Sequence, residues 1–420
     1  MLHDVPAMSF GSAEPQRVKL ADSLGVALLG RTVFEGVGLE TLWESVRQQC
    51  LADPDDAGAL LDLSTLLQMR GDREKGLELQ AVAIDMCRFY RTIHGTGAGP
   101  KVLMFATPGD LMANTPVDFL LEGSDAEITV CYVTDGLPDP AEAPEHDIAF
   151  LAISHADDGS AAVRKVLGGF DAWPRPVVNG RPGLIAALSR DGVAARFAGH
   201  PQVLCPTTAR VDRAWLGAIA TGLIPPSVLQ PGLAFPVIVR PLGSHAGNGL
   251  ERIEDAAALD AYLAGQPAEA FFVASFFDYA GVDGLYRKLR IIFIKGQPFL
   301  AHMAVSARWM VHYLNADMGE EANRLQEAEM MATFDEDFAR RHADAFDALV
   351  STFGLDYFGV DCAETTDGRL LVFEADVAMI VHAMDSAEVY PYKKPAMAKL
   401  FAAFVEALSS PAAQRRRLAA

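Results

Sequence analysis

Three carboxylates in the last quarter of the 420-residue chain are spaced so that they could act as one chemical group. Asp361 lies within an apolar run, and Glu374 and Asp376 end the next one. We expect Asp361 and Glu374 on the two strands of a hairpin, and Asp376 shares the strand parity of Glu374. Converging carboxylates favour a divalent cation such as magnesium, completed by phosphate oxygens. Solvated turn acids are the alternative, which suits Asp367 well and Asp361 poorly.

Positively charged residues precede these carboxylates. Arg240 ends an apolar strand and is followed by a loop, residues 243–249, that contains three glycines. Glycine lets backbone N–H groups approach an anion closely, and Arg240 can reach a phosphate or a ring nitrogen. Arg290 begins another apolar strand and is predicted to project into a cleft, with Arg308 and Asn315 beyond the next hairpin. Phosphoryl chemistry needs fixed positive charge of this kind.

The first ninety or so residues predict helices with little strand. Two amphipathic stretches, 57–70 and 73–88, are separated by Gly71-Asp72 and predict a helical hairpin. Residues 71–84 resemble the middle of a tetratricopeptide repeat, although arrays need about three such units. We favour a helical layer packed on the rest of the protein, with an independent peptide-binding array as the alternative.

The rest of the chain divides into two patterns. Up to about residue 210, short apolar strands alternate with helical stretches, which is typical of a parallel α/β unit. Beyond it, longer strands predict an antiparallel α+β domain. The sequence therefore predicts a helical domain at 1–95, an α/β domain at 96–210 and an α+β domain at 211–420. The predicted strands are 102–106, 127–133, 148–153, 177–178, 235–240, 270–277, 289–294, 299–303 and 370–374.

The order of these features resembles the ATP-grasp superfamily: a cation-ended strand, a glycine loop, a hinge strand, an arginine-led strand, then acid…acid-x-acid. The likeness covers roughly residues 100–410 and is closest to carboxylate–amine ligases of the glutathione synthetase and ribosomal-protein-S6 modification type. It implies an ATP-grasp fold preceded by a small parallel α/β (pre-ATP-grasp) domain. It also implies that ATP phosphorylates a carboxylate and an amine attacks the acyl phosphate, with ADP and phosphate released.

The resemblance implies roles for individual residues. Arg290 and Arg308 would be catalytic, and the three carboxylates would bind Mg2+, with Mn2+ as an alternative. Lys288 stands where the family usually has an acid, and the last carboxylate stands where asparagine is usual. The substrate would lie near Asn315 and His382. The nucleotide would be bound by Arg240, Ser244, His245, Gly247, Gly249, Ser275, Phe276 and Phe277, with Asp278 or Asp283 on the ribose.

Composition narrows the classes of partner. The chain has 35 Lys and Arg against 55 Asp and Glu, a net charge of −20, which disfavours non-specific nucleic-acid binding. Five cysteines without a C-x-x-C pair argue against structural zinc and a disulfide framework. No signal-peptide pattern and no apolar run of membrane-spanning length is present. We therefore predict a cytoplasmic protein with no membrane or nucleic-acid partner.

Two functions besides ligation stay open. The chain could be a scaffold, with a degenerate ATP-grasp body and N-terminal helices that bind a protein or peptide. It could also be an ATP-dependent small-molecule kinase that forms no amide. The expected substrates are small molecules, amino acids or peptides, without a specific acid or amine. A homodimer is a further alternative, because dimers are common among similar ligases.

Overall fold

The computed structural model describes residues 19–155, 161–244, 247–312 and 316–418, with side chains up to residue 409. Two predicted site residues, His245 and Asn315, lie outside the described residues.

The described chain mixes helices and strands throughout. The strands are β1 (Leu20–Asp22), β2 (Phe89–Ile93), β3 (Lys101–Ala106), β4 (Glu127–Tyr132), β5 (Ile148–Leu151), β6 (Val177–Val178), β7 (Val203–Leu204), β8 (Thr208–Asp212), β9 (Val237–Pro241), β10 (Glu251–Ile253), β11 (Ala270–Ser275), β12 (Tyr286–Ile294), β13 (Gln297–Ser306), β14 (Tyr357–Glu364) and β15 (Leu370–Asp376). The helices are α1 (Val26–Glu35), α2 (Leu39–Ala52), α3 (Ala57–Met69), α4 (Arg73–Met86), α5 (Val117–Leu120), α6 (Ala161–Arg164), α7 (Pro182–Ala186), α8 (Arg190–Arg196), α9 (Arg213–Ala220), α10 (Ala256–Gly265), α11 (Glu321–Thr333), α12 (Phe338–Arg341), α13 (Ala343–Phe353) and α14 (Lys393–Leu418). Short 3-10 turns occupy Leu111–Ala113, Pro140–Glu142 and Pro226–Val228.

The first sheet has the strand order β1-β2-β4-β3-β5-β6. Strands β3 to β6 are parallel neighbours, which confirms the predicted parallel α/β arrangement. Strand β2 lies antiparallel to β4, from Phe89 opposite Cys131 to Ile93 opposite Glu127, and β1 pairs with β2. The N-terminal region therefore contributes two strands to this sheet, although the sequence predicts it to be helical with little strand.

Helices α3 and α4 form the predicted helical hairpin. The chain turns at Gly71, whose φ of 95° is a left-handed conformation that favours glycine. A Cβ atom on Gly76 would lie 2.8 Å from the carbonyl oxygen of Ser64, so glycine lets the helices approach closely. Leu60 and Tyr90 belong to one buried cluster, which joins this hairpin to the first sheet. The helices thus form a layer packed on the sheet, while the likeness to a tetratricopeptide repeat stays a prediction.

The second half of the chain forms two antiparallel sheets, ordered β10-β9-β11-β8 and β13-β12-β14-β15-β7. All of their pairings are antiparallel except that of β15 with β7, which confirms the predicted α+β character. Helices α12 and α13 are separated by His342. Residues 111–121 form a 3-10 turn and the short helix α5, which are separated where Asn114 pairs with Ile153.

The sheet that carries β14 and β15 is covered by apolar side chains on both faces. Phe293 and Phe358 belong to one large core cluster, and Ile292 and Tyr357 belong to another that also contains Phe404 of α14. Charged side chains within such strands must be paired, because burial of a lone charge is costly. Among the described residues, no helix is long and apolar enough to cross a membrane.

Candidate active site

A cavity of about 260 Å³ lies between the two antiparallel sheets. Strands β9 and β11 line one wall, and strands β12, β14 and β15 line the other. Apolar side chains form much of its surface, including Ile238, Phe272 and Val372. Four cationic side chains also line it: Arg190, Arg240, Lys288 and Arg290. The carboxylates of Asp361 and Glu374 line it as well, so the site combines an apolar surround with four positive and two negative side chains.

Arg290, Asp361 and Glu374 occupy one row across three neighbouring strands. Arg290 on β12 is opposite Asp361 on β14, which is opposite Glu374 on β15. Residues directly opposite in an antiparallel pair point to the same face. The register of β14 with β15 shifts between Asp361 and Cys362, an irregularity of a kind that redirects side chains near active sites. The hairpin predicted for Asp361 and Glu374 is confirmed.

Asp361 is enclosed by two cations. Arg290 donates from Nε to Oδ1 at 2.8 Å and from Nη2 to Oδ2 at 3.0 Å, a two-pronged pairing. The Nζ of Lys288 lies 2.7 Å from Oδ2, and the Asp361 side chain is 2% exposed. Burial opposes ionisation, but the adjacent Arg290 and Lys288 outweigh it and hold the pKa of Asp361 far below its usual range. Asp361 is therefore a buried carboxylate that stays charged.

Glu374 is paired with Arg190, the first residue of α8. An Nη2 atom of Arg190 donates to Oε1 of Glu374. Helix α8 begins there because the Ser189 side chain accepts a hydrogen bond from the Gly192 N–H and caps it. Burial raises the pKa of Glu374, but the positive charges of Arg190 and Arg240 lower it by more, so the net shift is downward.

Asp376 faces the first sheet. Its Oδ1 accepts hydrogen bonds from the Ser154 hydroxyl at 2.7 Å and from the Ala378 N–H at 3.1 Å. The Nδ1 of His155 is 3.6 Å from the same oxygen. Burial opposes ionisation, but the nearby His155 and the hydrogen bonds from Ala378 and Ser154 overcome it, so the pKa of Asp376 is lowered.

These pairings decide how well the three carboxylates fit the predicted magnesium site. Among the described residues, no group of three or more His, Cys, Asp and Glu side chains is arranged to hold a metal ion. Asp361 forms ion pairs with Lys288 and Arg290, and Glu374 forms an ion pair with Arg190. The three carboxylates lie in one region as expected, but each of them already pairs with at least one protein donor. As arranged, they do not fit the predicted metal site.

Arg240 is the penultimate residue of β9 and is 9% exposed. Its Nε donates to the Ser244 hydroxyl at 3.3 Å, and its Nη2 donates to the Ser244 carbonyl. Gly247 lines the cavity with a φ of 77°. Gly249 also has a positive φ, and a Cβ there would lie 2.9 Å from the ring of Pro241, so only glycine closes this loop. The structure thus brings the predicted cation and part of its glycine loop to the cavity.

Three residues predicted to bind the nucleotide lie at the end of β11 and immediately after it. Ser275, Phe276 and Phe277 all line the cavity, and the Phe276 ring meets that of Trp309 edge to face at 5.7 Å. The two ribose candidates are placed outside the lining. The carboxylate of Asp278 accepts the Ala280 N–H, and that of Asp283 forms an ion pair with Arg287.

Two other predicted residues are not brought to this cavity. The Arg308 side chain is 68% exposed and lies beside Asp317, because it follows the end of β13. His382 packs against the rings of Phe34 and Phe119, beneath the N-terminal helices, and burial lowers its pKa. Neither placement supports the catalytic role predicted for Arg308 or the substrate contact predicted for His382.

Arg190 is a site residue to which no sequence motif points. It stands in a Ser-Arg-Asp-Gly segment, 184 positions from its partner Glu374. Lys288 has a sequence signal only as a departure from the family pattern. A charge opposite a buried carboxylate is a property of packing, so neither pairing is visible in local sequence.

Comparisons with known proteins give structural matches only. No protein-family model matches the chain, and no curated protein matches it by sequence. A RimK domain ATP-grasp protein from Sphaerobacter thermophilus is 15% identical, covering 73% of this chain and 99% of its own, with a TM-score of 0.41. VanG D-Ala:D-Ser ligase from Enterococcus faecalis is 11% identical, and the match covers 75% of this chain and 99% of the ligase, with a TM-score of 0.44. D-cycloserine synthetase DcsG is 16% identical, and the match covers 73% of this chain and 99% of the synthetase, with a TM-score of 0.41.

Proposed function

We propose that the chain is an ATP-dependent ligase that joins a carboxylate to an amine and releases ADP and phosphate. The observation that carries this proposal is the cavity between the two antiparallel sheets. Its apolar walls suit a purine base, and its four cations suit a chain of phosphates. The order of the motifs supports the same function, because it follows that of the ATP-grasp ligases.

The proposed reaction has two steps. An oxygen of the substrate carboxylate attacks the γ-phosphorus, and the bond between that phosphorus and the bridging oxygen breaks to release ADP. The amine nitrogen then attacks the acyl carbon, phosphate leaves, and the nitrogen loses a proton to give the amide. Arg240 and Arg290 hold the phosphates, and Arg190 supplies further positive charge where negative charge develops. Each of these guanidinium groups stays protonated throughout.

A second cavity adjoins the first and would hold the body of a substrate. Its volume is about 350 Å³, and it lies between the N-terminal helices and the first sheet. Met112 lines both cavities. Ile380 lines the second, and its carbonyl accepts a hydrogen bond from Arg290 at 3.0 Å. Because its walls include Leu29, Leu61 and other apolar side chains, we propose a substrate with an apolar side chain.

ADP release tests the proposed function. The purified chain would be incubated with ATP and pairs of carboxylic acids and amines, with apolar and polar members of each class. We expect ADP and amide only when an acid and an amine are both present, with higher rates for an apolar member. ADP from an acid alone would indicate a kinase. Absence of both ADP release and ATP binding would contradict the ligase and the kinase and would favour the scaffold function.

Replacement of Arg240 by methionine tests the phosphate contact. A charge-assisted hydrogen bond contributes about 1.5–3 kcal/mol, so ATP affinity should fall by roughly 10- to 100-fold. Isothermal titration calorimetry would measure it. Arg341→Met is the matched control, since Arg341 pairs with Asp337 and Glu364 outside the cavity lining. Equal ATP affinities for the two variants would show that Arg240 does not contact the nucleotide.

A further inference from the structure

The charge of the carboxylate cluster is balanced by the protein itself. Three carboxylates, Asp361, Glu374 and Asp376, lie in one region, and three cations contact the first two of them. Lys288 and Arg290 contact Asp361, and Arg190 contacts Glu374. The cluster is therefore formally neutral before any charge on His155 is counted. Three carboxylates without these cations would bind a divalent metal ion favourably, because the ion would relieve their mutual repulsion. Here the protein's own cations already relieve that repulsion.

Lys288 stands where the ATP-grasp pattern usually has an acid, and it contributes one of these three cations. Its ammonium lies 2.7 Å from Oδ2 of Asp361, and its own side chain is only 18% exposed. Arg290 already takes both oxygens of the same carboxylate. A divalent cation on Asp361 would have to displace the ammonium and then lie beside the guanidinium of Arg290. Like charges a few ångströms apart in a partly buried site repel strongly, which disfavours that exchange.

The same ammonium faces the space that a nucleotide would fill. Lys288, Arg290 and Arg240 line one cavity, on opposite walls. An ammonium is a compact cation with three donors, so it can contact a carboxylate and a phosphate oxygen at once. We propose that Lys288 is a built-in cation of the nucleotide site, so that ATP binds there without a metal ion on Asp361. This inference rests on the proposed function, because it assumes that the cavity binds ATP.

Calorimetric titration with ATP, in excess EDTA and in excess Mg2+, tests this inference on the full chain. We expect the dissociation constants of the unmodified protein to agree within about threefold. Loss of more than about 10-fold in affinity in EDTA would overturn the inference and leave the proposed function intact, since ATP would still bind with magnesium. No binding in either buffer would overturn both.

Lys288→Met keeps the length of the side chain and removes its charge. We expect affinity for ATP in EDTA to fall by about 10-fold or more, and magnesium to restore most of the loss because Asp361 then has room for a metal. Lys295→Met is the matched control on the turn after β12, where Lys295 pairs with Asp356 at an exposed site. It should match the unmodified protein in both buffers. An Lys288→Met protein with unchanged affinity in EDTA would overturn the role of Lys288.

Discussion

Replacement of Glu374 by glutamine is expected to reduce ATP turnover by at least about 100-fold, the cost typical of losing one donor positioned to stabilise charge in the transition state. Glutamine keeps the shape of the side chain but loses the charge that holds Arg190 at the cavity. The released guanidinium would no longer be fixed where negative charge develops. Affinity for ATP should not fall, because removing a negative charge from the cavity does not weaken phosphate binding.

The measurement separates kcat, from ADP release at saturating ATP, from the dissociation constant of ATP. Glu364→Gln on β14 is the matched control, since Glu364 also pairs with an arginine, Arg341, but lies outside the cavity lining. We expect the control to keep nearly full turnover. If Glu374→Gln turned over ATP as fast as the control, Glu374 would have no part in the site.

Replacement of Asp361 by asparagine is expected to lower the free energy of unfolding by about 3–5 kcal/mol, the usual cost of breaking a buried ion pair by removing one partner. The loss would leave Lys288 and Arg290 close together in the core without their shared carboxylate. Urea unfolding near neutral pH measures it. Asp283→Asn, which removes an exposed ion pair with Arg287, should cost less than about 1 kcal/mol. Equal losses would contradict the burial argument.

The stabilisation from Asp361 also has a defined pH range. The pKa of Asp361 in the folded protein is well below its ordinary value, so its ion pairs contribute fully above that ordinary value, about 4. As the pH drops below that value, their contribution falls progressively and is lost once the pH has passed through the folded pKa. The difference between the unmodified protein and Asp361→Asn should therefore persist throughout the neutral range. Adding Lys288→Met to Asp361→Asn should recover part of the loss, because one unpaired cation is removed.

The repeating patterns of the sequence determined much of the site. The apolar runs and strand parity predict that Asp361 and Glu374 lie on the two strands of a hairpin, with Asp376 on the same side as Glu374. In the structure β14 pairs with β15, and Asp361 is opposite Glu374. This succeeds because the alternation of side chains is a property of each strand alone. For the same reason the helical hairpin α3–α4 was predicted to within two residues at its ends. Strands β1 and β2 are not predicted from the sequence, because their pairing depends on a sheet formed by later residues.

Only the tertiary structure decided how the charges pair. The sequence showed three carboxylates that could hold a metal, and it showed cations whose distances were unknown. The packing of α8 against the sheet brings Arg190 to Glu374, and the pairing of β12 with β14 brings Lys288 and Arg290 to Asp361. Electrostatic energy depends on separation and burial, and neither can be read from positions in the chain. The residue types were therefore evident in the sequence, and the fold determined which charge each carboxylate meets.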